Sequence, residues 1–156
     1  MGLRSRFEPF DRFSKIQQVA GADVALDLGR SVAIAGVIVY RFPEMTELER
    51  VWARRPLTFP YVPGLLSFRE IPVLLRAFAK LRHSPDLIFY DGHGYAHPRR
   101  FGIASHLGVI LDCPTVGCAK SVLVGVPGEP RQRPGSWAAL VDDGETIGAV
   151  LGTREG

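Results

Sequence analysis

Three stretches of small and apolar residues near the start of the chain predict an antiparallel meander. Residues 19–26 alternate small and apolar side chains, and residues 31–40 contain an apolar run that is typical of a buried strand. Residues 47–53 alternate well enough to form a third strand, and Gly29 marks a turn after the first. Because the connections are short, neighbouring strands are expected to pair antiparallel.

The rest of the chain predicts helices that alternate with short strands. A rigid loop rich in proline comes first, since residues 59–64 contain two prolines and a glycine. The remaining predicted elements are helices at residues 67–81 and 101–108, strands at 87–90, 115–119 and 146–151, and a loop at 126–136. This order predicts an α/β fold with a mixed sheet and flanking helices, in which ligand sites lie beyond the carboxyl ends of strands.

Three carboxylates are candidates for a metal site. Asp23 interrupts an apolar strand, Asp91 ends one, and Glu70 lies near the start of a helix. Each also has an ordinary explanation: an ion pair with an arginine for Asp23, a capping box with Ser67 for Glu70, and a turn with Gly92 for Asp91. Three acids that converge at one sheet edge would favour Mg²⁺ and metal-assisted hydrolysis of a phosphodiester.

Two basic side chains fit the same chemistry. Lys120 follows a predicted strand and is suited to hold a phosphate, while His97 is suited to move a proton or contact a phosphate. An ordinary solvated lysine is the alternative for Lys120. His93 and His97 are four residues apart, a zinc-pair spacing on a helix, but the glycines on both sides of His93 argue against a helix there.

Composition adds little and excludes some classes. The 156 residues suit one domain, 1–156, and the net charge of +3 fits a polyanionic partner without identifying one. Cys113 and Cys118 are too few for a disulfide framework, and they would need two further ligands to hold zinc. Residues 1–15 carry no long apolar run and no stretch approaches the roughly 20 residues of a membrane span. We therefore expect a cytoplasmic protein.

Five segments resemble the motifs of the endonuclease V family, in that family's order. They are Val-Ala-Gly-Ala-Asp at 19–23, Pro-Tyr-Val-Pro-Gly-Leu-Leu-Ser-Phe-Arg-Glu at 60–70, Pro-Asp-Leu-Ile-Phe-Tyr-Asp-Gly-His-Gly at 85–94, His-Pro-Arg-Arg-Phe-Gly-Ile-Ala-Ser-His at 97–106, and Pro-Thr-Val-Gly-Cys-Ala-Lys at 114–120. The strings around 60–70 and 91–100 are highly specific, and the resemblance runs from about residue 19 to residue 151.

The resemblance implies an RNase H-like fold and a catalytic centre. It assigns Mg²⁺ binding, with Mn²⁺ able to substitute, to Asp23, Glu70 and Asp91, and it places His97 and Lys120 beside them. The implied reaction is a nick at the second phosphodiester bond 3′ to deoxyinosine, which arises when adenine is deaminated. The implied partner is DNA that contains deoxyinosine, with inosine-containing RNA as a further candidate, and the expected state is a monomer.

The resemblance also implies how the lesion is recognised. A wedge enters the duplex where the lesion base is flipped out, and its residues are Pro60, Tyr61, Val62 and Pro63. A pocket for hypoxanthine is lined by backbone at Gly64, Leu66, Gly92 and Ile103. Hypoxanthine lacks the exocyclic amine of adenine and guanine, so a close-fitting pocket excludes both.

The sequence departs from the family pattern at its end. The family continues with a further strand, a Gly-His-Arg motif and a C-terminal helix, whereas this sequence ends at Gly156. The expected fold therefore lacks that strand and helix. A rival hypothesis follows: a module that binds inosine-containing nucleic acid with little or no turnover. A structural remnant without activity is the third hypothesis, and the retained acids argue against it.

Overall fold

The computed structural model describes residues 2–10, 15–60, 62 and 64–153. It contains a short 3-10 helix, two α-helices and eight strands within those residues. The 3-10 helix is Leu3–Arg6, and the other elements are β1 (Gln18–Asp27), β2 (Val32–Arg41), β3 (Thr46–Pro56), α1 (Leu66–Phe78), β4 (Leu87–Tyr90), α2 (Ile103–Leu111), β5 (Thr115–Gly117), β6 (Val126–Pro127), β7 (Trp137–Asp142) and β8 (Glu145–Leu151).

A five-stranded mixed sheet in the order β3-β2-β1-β4-β5 forms the centre of the fold. Strands β1, β2 and β3 pair antiparallel, whereas β4 and β5 run parallel to β1. The first pairings follow from short connections, and the parallel strands are reached through α1 and α2, because a parallel crossover needs a long connection. The predicted mixed sheet with flanking helices is confirmed.

The hydrophobic core lies between this sheet and the two helices. In β2 every second residue faces the helices, and Ala33, Ala35, Val37 and Val39 are fully buried. The intervening residues face the other way, so Ile34 remains 41% exposed. The same alternation in β1 decides which side chains point away from the helices near the site.

A separate three-stranded sheet, β6-β7-β8, corrects the predicted end of the chain. The predicted loop at 126–136 contains β6, and β7 was not predicted at all, although it is the partner of β8. The missed signal was Asp143-Gly144, whose φ angles are 50° and 79°. Two consecutive positive φ values form the tight turn that Asp-Gly favours between two strands.

Several predicted boundaries move by a few residues. The first helix ends at Phe78 instead of residue 81, and the second begins at Ile103 instead of residue 101. Helix α2 begins later than predicted because Gly102 has an extended backbone and packs tightly against the carbonyl of His93. A Cβ at residue 102 would lie 2.3 Å from that carbonyl oxygen. Cys113 is half-buried and Cys118 exposed, and both thiols are free.

None of the helices in the described residues has the length and apolar character needed to cross a membrane.

Candidate active site

Asp23 and Asp91 extend from neighbouring parallel strands. Ala22 of β1 pairs with Tyr90 of β4, and the N–H of Asp91 donates to the carbonyl of Ala22 at 3.4 Å. Asp23 follows Ala22 within β1, and Asp91 directly follows Tyr90 at the end of β4. The two aspartates therefore occupy neighbouring positions on adjacent chain segments. Asp23 is exposed because alternation buries Ala22 instead. Asp23 therefore interrupts the apolar pattern of the strand at an exposed position, on the face opposite Ala22.

Glu70 approaches the same place from α1 and is buried. Its carboxylate accepts a hydrogen bond from the hydroxyl of Tyr90 at 2.5 Å. Burial raises the pKa of Glu70, and the negative charges of Asp23 and Asp91 raise it further, while the Tyr90 hydrogen bond lowers it. The capping-box explanation is wrong, since α1 begins after Leu65 without a side-chain cap. The three acids are thus close enough for their charges to interact.

Lys120 supplies the positive charge at this cluster. Its Nζ donates to Oδ2 of Asp91 at 2.5 Å. This hydrogen bond and the negative charge of Asp91 raise the pKa of Lys120, and the charge of Asp23 adds to the shift. The lysine side chain is 85% exposed, so it is held by its charge partner rather than by packing and can move without disturbing the core.

The donor set suits a hard divalent cation, although the three carboxylates are not closed around one position. No group of three His, Cys, Asp or Glu side chains is arranged to hold one metal ion within the described ranges. Each acid has a protein donor instead: Lys120 for Asp91, Tyr90 for Glu70 and a backbone N–H at 2.7 Å for Asp23. Burial and the nearby charges of Asp23 and Asp91 raise the pKa of Glu70, and carboxylate oxygens are the donors that Mg²⁺ prefers.

His97 lies in the loop between β4 and α2, and its ring interacts with Arg99 and His93. The backbone N–H of Arg99 donates to Nδ1 of His97 at 3.1 Å, which leaves Nε2 to carry the proton of the neutral ring. Burial lowers the pKa of His97, and the nearby Arg99 and His93 lower it further. The zinc-pair alternative fails, because residues 93–97 form no helix and Nε2 of His93 donates to the carbonyl of Ser121.

Three of the four residues predicted to line a lesion pocket take part in close contacts, and the fourth, Leu66, is exposed. Gly92 packs against Ile103, and a Cβ at Gly92 would lie 2.8 Å from Cγ2 of that isoleucine. Gly64 has a φ of 79°, and its carbonyl accepts a hydrogen bond from Nη2 of Arg99. Leu66 is 40% exposed at the start of α1. The backbone at Gly92 and Gly64 therefore admits close approach that a side chain would prevent.

The predicted wedge is described only in part. Pro60 and Val62 are exposed, whereas Tyr61 and Pro63 lie outside the described residues. Two residues that the sequence did not single out also belong to the site: Tyr90, which hydrogen-bonds Glu70, and Arg99, which joins Gly64 to the His97 loop. A hydroxyl within a buried apolar run was the available signal for Tyr90, since such groups need a partner.

The fold and the acidic cluster together define a class of protein. A mixed sheet in the order β3-β2-β1-β4-β5, with one carboxylate within β1, one directly after β4 and one on α1, is the arrangement of an RNase H-like nuclease. Comparison with known proteins identifies the family within that class. The endonuclease V family model matches residues 2–156, and the chain belongs to the endonuclease V family.

Individual relatives agree with this assignment. Endonuclease V of Roseiflexus sp. (strain RS-1) is 52% identical over 154 residues, which cover 99% of this chain and 68% of the relative. The crystal structure of endonuclease V from Streptomyces avermitilis matches with a TM-score of 0.89 and 39% identity, over 97% of this chain and 69% of that one. The family is generally metal-dependent.

One solved relative contains nucleic acid. A variant of Ciona intestinalis endonuclease V was crystallised in complex with a 23mer DNA containing an inosine followed by a ribo-adenosine. It is 32% identical to this chain, with a TM-score of 0.70 over 80% of this chain and 55% of that one.

Proposed function

We propose that this chain is a Mg²⁺-dependent endonuclease of DNA repair, which nicks the second phosphodiester bond 3′ to deoxyinosine. The observation that carries the proposal is the electrostatic interaction among Asp23 in β1, Glu70 on α1 and Asp91 directly after β4, together with the pairing of Lys120 with Asp91. Carboxylates that repel one another beside a mobile ammonium suit a site where a cation and a phosphate bind together. The relative solved with inosine-containing DNA supports the choice of lesion.

Asp23, Glu70 and Asp91 would hold the ion. Bound there, Mg²⁺ would supply an activated water and neutralise charge on the scissile phosphate. Burial, with added repulsion from Asp23 and Asp91, raises the pKa of Glu70, and a nearby cation would favour the ionised carboxylate and relieve that repulsion.

The basic groups act on the substrate. Lys120 exchanges Asp91 for a non-bridging phosphate oxygen, which its exposure allows. His97 presents Nε2 as a proton carrier, because its Nδ1 is occupied by the N–H of Arg99. Since burial lowers its pKa, the ring is neutral near pH 7, and its Nε2–H is available to donate to a phosphate oxygen or a leaving oxygen.

Lesion selection rests on close approach of backbone to the flipped base. Flipping costs a few kcal/mol and less at a weak inosine pair. Gly92 against Ile103, and Gly64 with its carbonyl held by Arg99, form rigid backbone edges for this pocket. Leu66 adds an exposed apolar group beside them.

One assay tests the function directly. Duplexes that differ only by inosine or adenine at one position are incubated with the protein, with and without Mg²⁺, and both mobility shift and nicking are scored. Nicking of the inosine duplex only with Mg²⁺ supports the proposal, and a matched RNA arm reports the DNA or RNA preference. A shift without a nick indicates the binding module instead, and equal nicking of both duplexes contradicts lesion specificity.

Replacing Lys120 by glutamine is expected to separate metal binding from cleavage. The ammonium that competes for Asp91 is removed, so the affinity for Mg²⁺, measured by calorimetry without DNA, should rise. Nicking at saturating Mg²⁺ should fall by about 100-fold, because the phosphate loses a charged donor.

Lys80→Gln is the matched control, since Nζ of Lys80 binds the carbonyl of Trp52 away from the acids. Unchanged Mg²⁺ affinity in Lys120→Gln would contradict the competition for Asp91.

Replacing Tyr61 by alanine is expected to weaken binding to the inosine duplex while leaving the melting temperature nearly unchanged. Tyr61 follows Pro60 in a proline-rich loop, and stacking of an aromatic ring on a base contributes roughly 1–3 kcal/mol. The loss of affinity should therefore be about 5- to 150-fold by titration.

Tyr61→Phe keeps the aromatic ring and should bind like the unmodified chain. A large drop in melting temperature with unchanged affinity would show that Tyr61 packs in the fold instead.

A further inference from the structure

The side chain of Arg100 ties the His97 loop to the turn between β7 and β8. Its Nη2 donates to Oδ2 of Asp142 at 2.7 Å, and its Nε donates to Oε2 of Glu145 at 2.8 Å. The hydroxyl of Tyr95 donates to the other oxygen of Glu145 at 2.5 Å. Because the Arg100 side chain is only 18% exposed, these ion pairs are screened less by solvent than ordinary surface pairs.

The same residue holds His97 through the backbone. The N–H of Arg100 donates to the carbonyl of His97 at 2.7 Å, and Nη1 of Arg100 reaches that carbonyl at 3.3 Å. Arg100 has a φ of 51°, a left-handed conformation that is uncommon outside glycine, asparagine and aspartate. Such a conformation persists where surrounding contacts hold it in place, and the two carboxylates supply those contacts here.

We propose that Arg100 is a positioning residue, which orients the His97 ring by clamping its loop to Asp142 and Glu145. This inference rests on the proposed function, in which His97 acts on the substrate. The turn between β7 and β8 then belongs to the active site although none of its residues touches the acidic cluster in the described contacts. A guanidinium suits the task because its fork binds two carboxylates in fixed directions, which an ammonium does not.

The clamp also reaches the predicted lesion pocket. Arg99, the neighbour of Arg100, donates its N–H to the His97 ring and its Nη2 to the carbonyl of Gly64. Releasing Arg100 would therefore loosen both the ring of His97 and the hydrogen bond to Gly64. Cleavage depends on the orientation of the His97 ring, so the kcat for nicking should fall more than the affinity for substrate.

The experiment compares Arg100→Gln and Arg100→Gly with the unmodified chain. Glycine adopts a positive φ without strain, so a defect in Arg100→Gly reports loss of the clamp rather than of backbone conformation. Both variants should lower the kcat for nicking the inosine duplex by about 10- to 100-fold, the usual effect of losing a supporting group, with KM changed little. Arg50→Gln is the matched control, since Arg50 forms a comparable ion pair with Glu47 at 2.7 Å on β3.

Nitrogen NMR of the His97 ring provides a readout that does not depend on activity. In the unmodified chain the neutral ring should carry its proton on Nε2, since Nδ1 accepts from Arg99. In both Arg100 variants this preference should weaken, and the pKa of His97 should rise toward its ordinary value as the ring becomes more solvated.

The outcomes separate this inference from the proposed function. If Arg100→Gly has the same kcat and the same His97 ring signals as the unmodified chain, the positioning role is overturned. If the unmodified chain does not nick, the proposed function fails, and the NMR comparison still decides whether Arg100 orients His97. Should the Arg100 variants fail to fold, Asp142→Asn and Glu145→Gln each remove one arm of the clamp, and unchanged His97 signals in both would overturn the proposal.

Discussion

Replacing Asp91 by asparagine is expected to abolish nicking of inosine-containing DNA while the chain still binds it. The amide keeps the shape of the side chain but loses the charge that faces Lys120 and, by the proposed function, Mg²⁺. Loss of a supporting group beside a metal ligand costs about 10- to 100-fold, so loss of a ligand should cost more than about 100-fold. Single-turnover assays measure the loss of nicking, and mobility-shift assays measure the retained binding.

Asp86→Asn is the matched control at the other end of β4. Its carboxylate accepts the N–H groups of Gln17 and Gln18 at 2.8 and 2.9 Å, so its loss should lower stability and leave the nicking rate of the folded protein intact. Binding should survive in Asp91→Asn because phosphate contacts contribute much of the affinity of such proteins. Full activity at ordinary Mg²⁺ concentrations would exclude Asp91 from the catalytic centre.

Replacing Glu70 by glutamine is expected to reduce the nicking rate by more than about 100-fold. The same change should raise the melting temperature at neutral pH. Burial raises the pKa of Glu70, so the ionised carboxylate at pH 7 destabilises the fold relative to a neutral group. Glutamine removes that charge, and its amide oxygen still accepts the hydroxyl of Tyr90. Nicking assays and thermal melts across pH measure the two effects.

The pH dependence of this gain has a definite sign. A raised folded-state pKa means that the native protein favours the protonated carboxyl, so stability is fully present below the unfolded pKa and is lost as pH rises through the folded pKa. The advantage of Glu70→Gln should therefore vanish near pH 4 and grow toward neutral pH. A melting temperature below that of the unmodified chain at pH 7 would contradict a raised pKa for Glu70.

Glu49 is a matched control with the opposite shift. The backbone N–H of Arg82, with further hydrogen bonds from Arg82 and His83, lowers the pKa of Glu49 to about 2 despite the burial of its side chain. A depressed pKa adds stability above the unfolded pKa that is lost as pH falls through the folded value. Glu49→Gln should therefore destabilise the protein at pH 7, and its nicking rate should stay unchanged while it remains folded.

These predictions share one electrostatic feature of the site. The negative charge of Asp91 is paired with Lys120, whereas Glu70 accepts a hydrogen bond from the neutral hydroxyl of Tyr90 and interacts with the positive charge of Arg69. By the proposed function, a cation that binds Asp91 competes with Lys120, and the released ammonium would be available to a phosphate. Metal binding and substrate contact would then be linked through a single side chain.

The sequence by itself determined the family and most of the regular elements. Continuous apolar residues predicted the strand at Leu87–Tyr90 with the observed bounds, because a short apolar run flanked by an aspartate on each side has a strong local signal, even though Phe89 is exposed. The strings around 60–70 and 91–100 identified endonuclease V, a match that the family model bears out. Helix bounds moved by two or three residues, since helix ends depend on contacts such as that of Gly102 with the carbonyl of His93.

Only the tertiary structure decided what each polar side chain contacts. Asp23 is exposed because pairing with β2 and β4 turns it away from the helices, and Glu70 binds Tyr90 rather than capping its own helix. The ion pairs of Arg100 join residues 42 and 45 positions apart. Local patterns report periodicity over a few residues, whereas these partners meet only when distant segments pack together, so no local pattern could have paired them.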